Sequence, residues 1–306
     1  MNVLIAGSGL MGQGIAVEMA RGGCSVTLYD ISQHALRDAR NMLETTLAVM
    51  EEHGMADRSL LNRIGFTNVL EKRNYDLIIE AVTEDIGVKK SVFQQLEGIA
   101  GEDTPICTNT SLIRVDELSK FISRKSRFLG LHWMNPPYIM PLVEIIKTEH
   151  TDDGIIRSLK GFLEEKLGKT VVVCLNQSMV NRFSAAVLAE ASRIMEDSGA
   201  EFQDIDRVWR HHLGILYTLF GPLGNLDYIG LDTVLLASRY LHQLHGDERL
   251  KPPGWLVEKV ERGELGIKSS KGIYQYDKPF QNLLMERFAK IRKFLELLKG
   301  ISDLEG

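Results

Sequence analysis

Asn2-Val3-Leu4-Ile5-Ala6-Gly7-Ser8-Gly9-Leu10-Met11-Gly12-Gln13-Gly14-Ile15-Ala16 is the stretch on which the reading of this chain turns. Residues 3–6 form a short apolar run that suits a buried strand. The run ends in a Gly-x-Gly-x-x-Gly turn at Gly7, Gly9 and Gly12, and a helix is expected from there to Arg21-Gly22-Gly23, where the glycines stop it. Residues 25–30 read as a second strand that ends on Asp30, 23 residues after Gly7. Strand, glycine turn, helix, strand and acid in that order make the dinucleotide-binding arrangement. The glycines permit a tight turn and close approach of the backbone to a pyrophosphate, so the loop Gly7, Ser8, Gly9, Leu10, Met11 and Gly12 is the expected cradle at a helix N-terminus. Asp30 would accept from the ribose hydroxyls and repel a 2′-phosphate. Because Ile31-Ser32-Gln33 offers no arginine to neutralise such a phosphate, NAD is favoured over NADP, while the motif alone also admits FAD.

Outward from this motif, the first half keeps alternating β-rich runs with amphipathic ones, which argues for a parallel sheet covered by helices. Strands are expected at 76–82, 105–108, 127–133, 141–146 and 170–174, and helices at 32–53, 57–63, 88–99 and 155–167. After Gln177 the strand signals vanish, and helical patterns run over 179–197, 202–212 and 231–244. From 281 to 299, Leu284, Phe288, Ile291, Leu295 and Leu298 fall on one face of a further helix. The expected architecture is α/β: a Rossmann-type, doubly wound, mostly parallel sheet over residues 1–177, then an all-α domain over 178–277 and a C-terminal amphipathic helix over 278–306.

Bulk properties exclude other classes. At 306 residues the chain exceeds one average domain, and with 44% hydrophobic residues it can bury a core without disulfides or a structural metal. A formal charge of -5 gives no electrostatic ground for nucleic acid or an anionic membrane as a partner. Cys24, Cys107 and Cys174 are widely spaced and form no CxxC pair, so no metal site is suggested and a reducing cytoplasm is the expected setting. The chain enters its first strand directly, and no apolar run reaches about 18 residues, so neither a signal peptide nor a membrane span is expected.

Chemistry is expected beyond the carboxyl ends of the strands, where open α/β sheets bind ligands. Leu131-His132-Trp133-Met134-Asn135-Pro136-Pro137 stands at one such end. His132 alone is either a satisfied core histidine or a general base. Glu144, in the middle of the strand at 141–146, needs a partner in either of two readings. It forms an internal salt bridge with a Lys or Arg, or it holds one ring nitrogen of His132 as a donor and leaves the other free to take a proton. Asn109-Thr110-Ser111 follows a strand end and is open to both substrate contact and helix capping. Asn181, at the start of the helical half, either faces the cleft or bonds a neighbouring backbone.

These pieces occur together with others in a fixed order: the glycine loop, Glu80-Ala-Val-Thr-Glu84 with Lys89, Asn109-Thr-Ser111, His132-Trp-Met-Asn-Pro136, Pro141-Leu-Val-Glu144, Val180-Asn-Arg182, Gly221-Pro222 with Leu226-Asp-Tyr-Ile-Gly-Leu-Asp232, and Gly266-Ile-Lys268 through Gly272-Ile-Tyr274. In this the chain resembles the L-3-hydroxyacyl-CoA dehydrogenases over nearly its whole length. The resemblance implies an NAD-binding domain, a helical domain that commonly makes a homodimer, and a small-molecule substrate. It further implies that His132 removes the proton from the 3-hydroxyl of a compound such as 3-hydroxybutyryl-CoA as C3 passes hydride to the nicotinamide. Glu144 would orient His132, Ser111 and Asn181 would contact the reacting oxygen or its neighbour, and Glu84, Lys89, Asn135 and Lys268 would lie at the cofactor.

Departures from the family pattern concern the substrate. Leu112 stands where the family usually has a second serine, and Asn176-Gln177-Ser178 where it has Pro-Gly-Phe. The helical hairpin near 50–65 is short, and Met55 occupies a position where CoA-binding members often carry lysine, which removes one phosphate contact. Asn135-Pro-Pro-Tyr138, Leu216-Tyr217 and the C-terminal helix are more similar to relatives that oxidise free hydroxy acids, such as L-gulonate 3-dehydrogenase (lambda-crystallin). The pyridoxine-breakdown dehydrogenase shares similar features. A CoA thioester is thus the first expectation and a free hydroxy acid the alternative, with a non-catalytic NAD-binding structural protein as a third reading that intact His132 and Glu144 oppose. Replacing Asp30 by Ala is expected to weaken NAD binding about 10- to 100-fold, the loss of a hydrogen bond to a charged group, and to relax discrimination against NADP. Unchanged affinity and preference in a titration of both cofactors would remove Asp30 from the ribose site.

Overall fold

One eight-stranded sheet organises residues 1–188, the first of two units in the computed structural model, which describes residues 1–299; the second unit begins at Ala189. The strands are β1 (Asn2–Ala6), β2 (Ser25–Tyr29), β3 (Ile64–Thr67), β4 (Leu77–Glu80), β5 (Ile106–Thr108), β6 (Phe128–Trp133), β7 (Leu142–Lys147) and β8 (Thr170–Leu175). Their order is β3-β2-β1-β4-β5-β6-β7-β8. The helices of this unit are α1 (Leu10–Arg21), α2 (Gln33–Glu52), α3 (Ile86–Ile99), the short α4 (Val115–Leu118), α5 (Asp153–Leu167) and the start of α6 (Met179–Ser198). Along β1 the side chains alternate between two cores. Val3 and Ile5 join Ile15, Leu28, Leu43 and Leu163 on one face, while Leu4 and Ala6 join Ile78, Phe93, Leu118 and Phe128 on the other. A strand buried on both faces carries apolar residues at every position, which is why 3–6 reads as a continuous run.

The sheet is mostly parallel, as expected, with one reversal. β6 and β7 pair antiparallel, because the connection at 134–141 is shorter than the dozen or more residues that a parallel crossover requires. β3 is a strand that the sequence pattern does not announce: Ile64-Gly-Phe-Thr67 is short, interrupted by glycine and placed at the sheet edge. Helix starts follow their caps. Ser32 accepts from Ala35 N at the start of α2, Asp85 from Val88 N at α3, and Asp152 from Gly154 N and Ile155 N at α5.

The second unit is helical: the rest of α6, then α7 (Phe202–Val208), a π-helical turn (Trp209–Leu213), α8 (Gly214–Phe220), α9 (Pro222–Ile229), α10 (Leu231–His245), α11 (Gly254–Glu261) and α12 (Phe280–Lys299). The expected helix at 202–212 is thus α7 continued by the π turn, and α8, α9 and α11 are additional. Leu231, Leu235 and Leu256 form a small core. Asp227, fully buried on α9, accepts from Ile273 N, Tyr274 N and the Tyr276 hydroxyl and so fastens the 273–276 segment. Arg287 holds α12 by stacking on Phe220 and Tyr228 and donating to Asn225. The remainder of the expected C-terminal helix, 300–306, lies outside the described residues. No helix among those described is long and apolar enough to cross a membrane.

Candidate active site

β1 pairs with both β2 and β4, so successive crossovers leave β1 in opposite directions, and a crevice opens at the carboxyl ends of β1 and β4. Gly7 turns the chain there with φ of 112°, and a Cβ on it would stand 2.4 Å from the Ala81 carbonyl oxygen. A Cβ on Gly12 would collide with the Gly7 carbonyl, whereas nothing lies within 4 Å of the corresponding position at Gly9. The crevice holds a cavity of about 970 Å³ lined by Gly7, Ser8, Gly9, Leu10, Met11 and Asp30 among others. Asp30 accepts from the Ser8 amide at 3.0 Å and hydroxyl at 2.9 Å and from the Ser32 amide at 3.0 Å. A second cavity of about 340 Å³ shares Met11, Ala81 and Val82 with the first and is further lined by Glu84, Asn109, Ser111, His132, Asn135 and Asn181.

The antiparallel reversal sets His132 directly opposite Glu144 in the register of β6 and β7. Directly opposed residues share a face of the sheet, and His132 Nδ1 lies 2.9 Å from Glu144 Oε2. The other oxygen, Oε1, accepts from Met179 N at 2.8 Å and Val180 N at 3.1 Å, the first amides of α6. Burial pushes the Glu144 carboxyl up, but hydrogen bonds from His132, Ser178, Val180 and Met179 outweigh it and hold the group below its usual range. An ionised carboxylate only accepts, so Nδ1 donates, and in the neutral imidazole Nε2 then carries the lone pair, an assignment made from the hydrogen-bond network. Of the two readings for Glu144, the geometry matches the histidine partner. Ser178, which the sequence marks only as a departure, is buried, bonds Glu144 and accepts from Asn181 N at 3.1 Å.

The facing wall is set by a second carboxylate. Glu84 accepts from the Thr110 hydroxyl at 2.6 Å, Ser111 N at 2.7 Å and Leu112 N at 3.0 Å, and its other oxygen pairs with Lys89 at 3.0 Å. Lys89 also pairs at 2.7 Å with Glu80, which accepts at 2.6 Å from Thr108 on β5. Lys89 is therefore a buried counter-ion that lines neither cavity, and Glu80, which sequence reasoning assigns no separate role, is its inner partner. Asn109 accepts from Trp133 N at 2.9 Å and joins the ends of β5 and β6, while Asn181 Nδ2 donates to the Ser111 carbonyl. Neither is a local cap.

Residues 2–178 match the family described as "3-hydroxyacyl-CoA dehydrogenase, NAD binding domain", and residues 179–276 the one described as "3-hydroxyacyl-CoA dehydrogenase, C-terminal domain". The chain belongs to the 3-hydroxyacyl-CoA dehydrogenase family. A crystal structure of a 3-hydroxyacyl-CoA dehydrogenase from Archaeoglobus fulgidus matches this dehydrogenase with a TM-score of 0.87 and 48% identity, over 98% of this chain and 99% of that one. A probable 3-hydroxybutyryl-CoA dehydrogenase of Deinococcus radiodurans is 35% identical over 278 residues, 89% of this chain and 99% of its own. The 5-formyl-3-hydroxy-2-methylpyridine 4-carboxylate 5-dehydrogenase of Mesorhizobium japonicum is 32% identical over 308 residues, 98% of each chain. The dehydrogenase is an NAD-dependent oxidoreductase of the class that acts on CH–OH.

The residues present fit that cofactor. α1 is preceded by Gly9, which brings no side-chain cap, and has no acid in its first turn, so its amides are free to meet a pyrophosphate, and the space over Gly9 is open. Asp30 lines the same cavity, and among the described residues no basic side chain lines it that would accept a 2′-phosphate. Lys268 belongs to the second unit, where both oxygens of Asp232 lie 2.6 Å from its ammonium. Burial works to raise the Glu84 carboxyl, yet the hydrogen bonds from Thr110 and Leu112 and the charge of Lys89 bring it to about 2. A carboxyl depressed by folding adds stability above its unfolded pKa of about 4.3, and that contribution is lost as pH falls through the folded value. Glu84→Gln is therefore expected to flatten the decline of Tm between about pH 4.3 and 2; a thermal-melt series parallel to wild type across that window would show that Glu84 carries none of it.

Proposed function

We propose that this dehydrogenase oxidises the 3-hydroxyl of an L-3-hydroxyacyl-CoA, such as 3-hydroxybutyryl-CoA, to the 3-keto compound, with His132 as general base. The observation that carries the reading is the buried His132–Glu144 pair, whose histidine lines the smaller cavity beside Ser111, Asn135 and Asn181. In the oxidation direction, His132 Nε2 takes the proton of the substrate hydroxyl. Glu144 keeps Nδ1 as donor and stabilises the imidazolium that forms. Ser111 and Asn181 are the side chains available to hold the reacting oxygen or its neighbour. Bound NAD supplies the hydride acceptor. Gly7, Ser8, Gly9, Leu10, Met11, Gly12 and Asp30 would hold it, with Glu84 and Asn135 beside the reacting end and Lys89 acting through Glu84. For Lys268, the role carried over from the family is a cofactor contact.

A second substrate reading, a free hydroxy acid, is favoured by a specific observation. Leu112, next to Ser111 of the smaller cavity's wall, is 71% exposed, and Met55 is 39% exposed, where a serine and a lysine are usual in CoA-binding members. Acetoacetyl-CoA reduction run beside oxidation of L-gulonate and free 3-hydroxybutyrate decides the class. Turnover of the thioester alone supports the CoA reading, and turnover of acids alone replaces it. On the accepted substrate His132→Gln is expected to lower kcat by about 10²- to 10⁴-fold, the usual worth of general-base catalysis, with NAD affinity near wild type. Activity retained in that variant would overturn the base assignment.

We further propose that the chain forms a homodimer. Leu236, Tyr240 and Leu244 recur every fourth residue along α10 and are all exposed, an apolar stripe of the kind that a partner helix covers. Sedimentation equilibrium is expected to give twice the chain mass for the wild type and the mass of a single chain for Tyr240→Glu, which puts a charge in the middle of the stripe; a monomeric wild type at micromolar concentration would remove the proposal.

A further inference from the structure

The connection between β6 and β7 is poor in hydrogen-bond donors. Pro136, Pro137 and Pro141 have no N–H, and the amides of Ile139 and Met140 both turn to the Pro136 carbonyl. The carbonyls of Pro137 and Met140 are met from outside the loop, by Lys169 at the entry to β8. Its ammonium donates to Pro137 O at 2.6 Å and Met140 O at 3.0 Å and pairs with Glu18 Oε2 at 2.8 Å. Three acceptors use all three of its N–H bonds. Lys169 is 6% exposed and Glu18 0%, and the ammonium also lies 5.7 Å from the centre of the Trp133 ring. Glu18 stands on α1, the helix that the glycine loop opens. On the same helix Gly14 comes so near the loop that a Cβ there would stand 2.6 Å from Pro137 Cδ.

We infer that Lys169 and Glu18 are positioning residues for the reaction, a buried ion pair that fastens the 134–141 loop to the cofactor helix and thereby sets Asn135 and the His132 end of β6 against α1. Stability alone is a poor reason for this pair, since a desolvated ion pair is often no better than apolar side chains of the same size. What it supplies is direction: three hydrogen bonds hold two loop carbonyls and one helix side chain at a single point. The segment so held carries Met134 and Asn135, both on the wall of the smaller cavity. A misplacement of about 1 Å in such a wall costs on the order of 10²-fold in rate. The inference rests on the reading of that cavity as the reaction site.

The test compares wild type, Lys169→Met and the charge-free Glu18→Gln/Lys169→Met. It measures steady-state kinetics on the accepted substrate, NAD affinity by titration, and hydrogen exchange of the cofactor-free protein over 131–142. Both variants are expected to lose about 10- to 100-fold in kcat, to keep the NAD Kd within about threefold, and to exchange the amides of residues 138–140 about tenfold faster or more while β8 keeps its protection. Wild-type kcat in a folded variant, or unchanged exchange at 138–140, overturns the inference and leaves the pair a stability element. If Lys169→Met fails to fold because Glu18 keeps only the half-exposed Arg21 as partner, at 2.8 Å, the double variant, which removes both buried charges, decides. His132→Gln measured alongside separates the two readings: turnover retained there removes the base assignment, whereas the exchange result stands on the loop alone.

Discussion

The carboxylate of Glu144 is the point through which the rest of the site is held. A buried carboxylate is costly unless its oxygens are met by donors, and here they are met by the His132 ring and by the first amides of α6. Satisfying one side chain therefore fixes three things: the tautomer of His132, the spacing of β6 and β7, and the start of the helix that carries Asn181. The helix end favours the arrangement in turn, because its unsatisfied N–H groups and dipole prefer a negative partner. From Asn181 the contacts continue to the Ser111 carbonyl, from the Ser111 amide to Glu84, and through Lys89 to Glu80 and Thr108. One polar chain, part in the cavity wall and part behind it, runs from β7 round to β5.

Charge is distributed unevenly along that chain. Glu84 and Glu80 share one buried ammonium, and their environments push them apart: hydrogen bonds hold the Glu84 carboxyl low, whereas burial pushes the Glu80 carboxyl up. Glu84 spends its acceptor capacity on the 110–112 loop, which keeps the loop closed against β4. The glycine loop works by the opposite rule, with no side chain at Gly9 so that the backbone at the start of α1 borders open space. Substrate range belongs to neither of these parts. Leu112 is largely exposed, so that exchange of its side chain leaves the polar wall intact, and the same scaffold can then serve different hydroxy compounds.

Much of this was legible in the chain. The order of strand, glycine turn, helix and acid at residues 3–30 identified the sheet and its cofactor, because close backbone approach and burial on both faces leave a local imprint in residue type. Glu144 could be singled out since a glutamate in a buried strand must have a partner. β3 escaped notice because a four-residue edge strand with a glycine has almost no pattern of its own. The reversal of β7 is legible as well, since eight intervening residues cannot make a crossover, but the register that sets Glu144 opposite His132 is not, because loop length leaves it free to slip.

Local order and chemical type were thus decided by the sequence itself: the elements, the nucleotide loop, the candidate base and its acid, since each depends on neighbours a few residues apart. Partnership was decided only by the tertiary structure. Whether Asn181 caps its own helix or reaches Ser111, and which carbonyls Lys169 serves, depend on groups tens of residues away. Such contacts arise because a buried charge or amide must find a complement wherever packing brings one, and no periodicity in the chain encodes which one that will be.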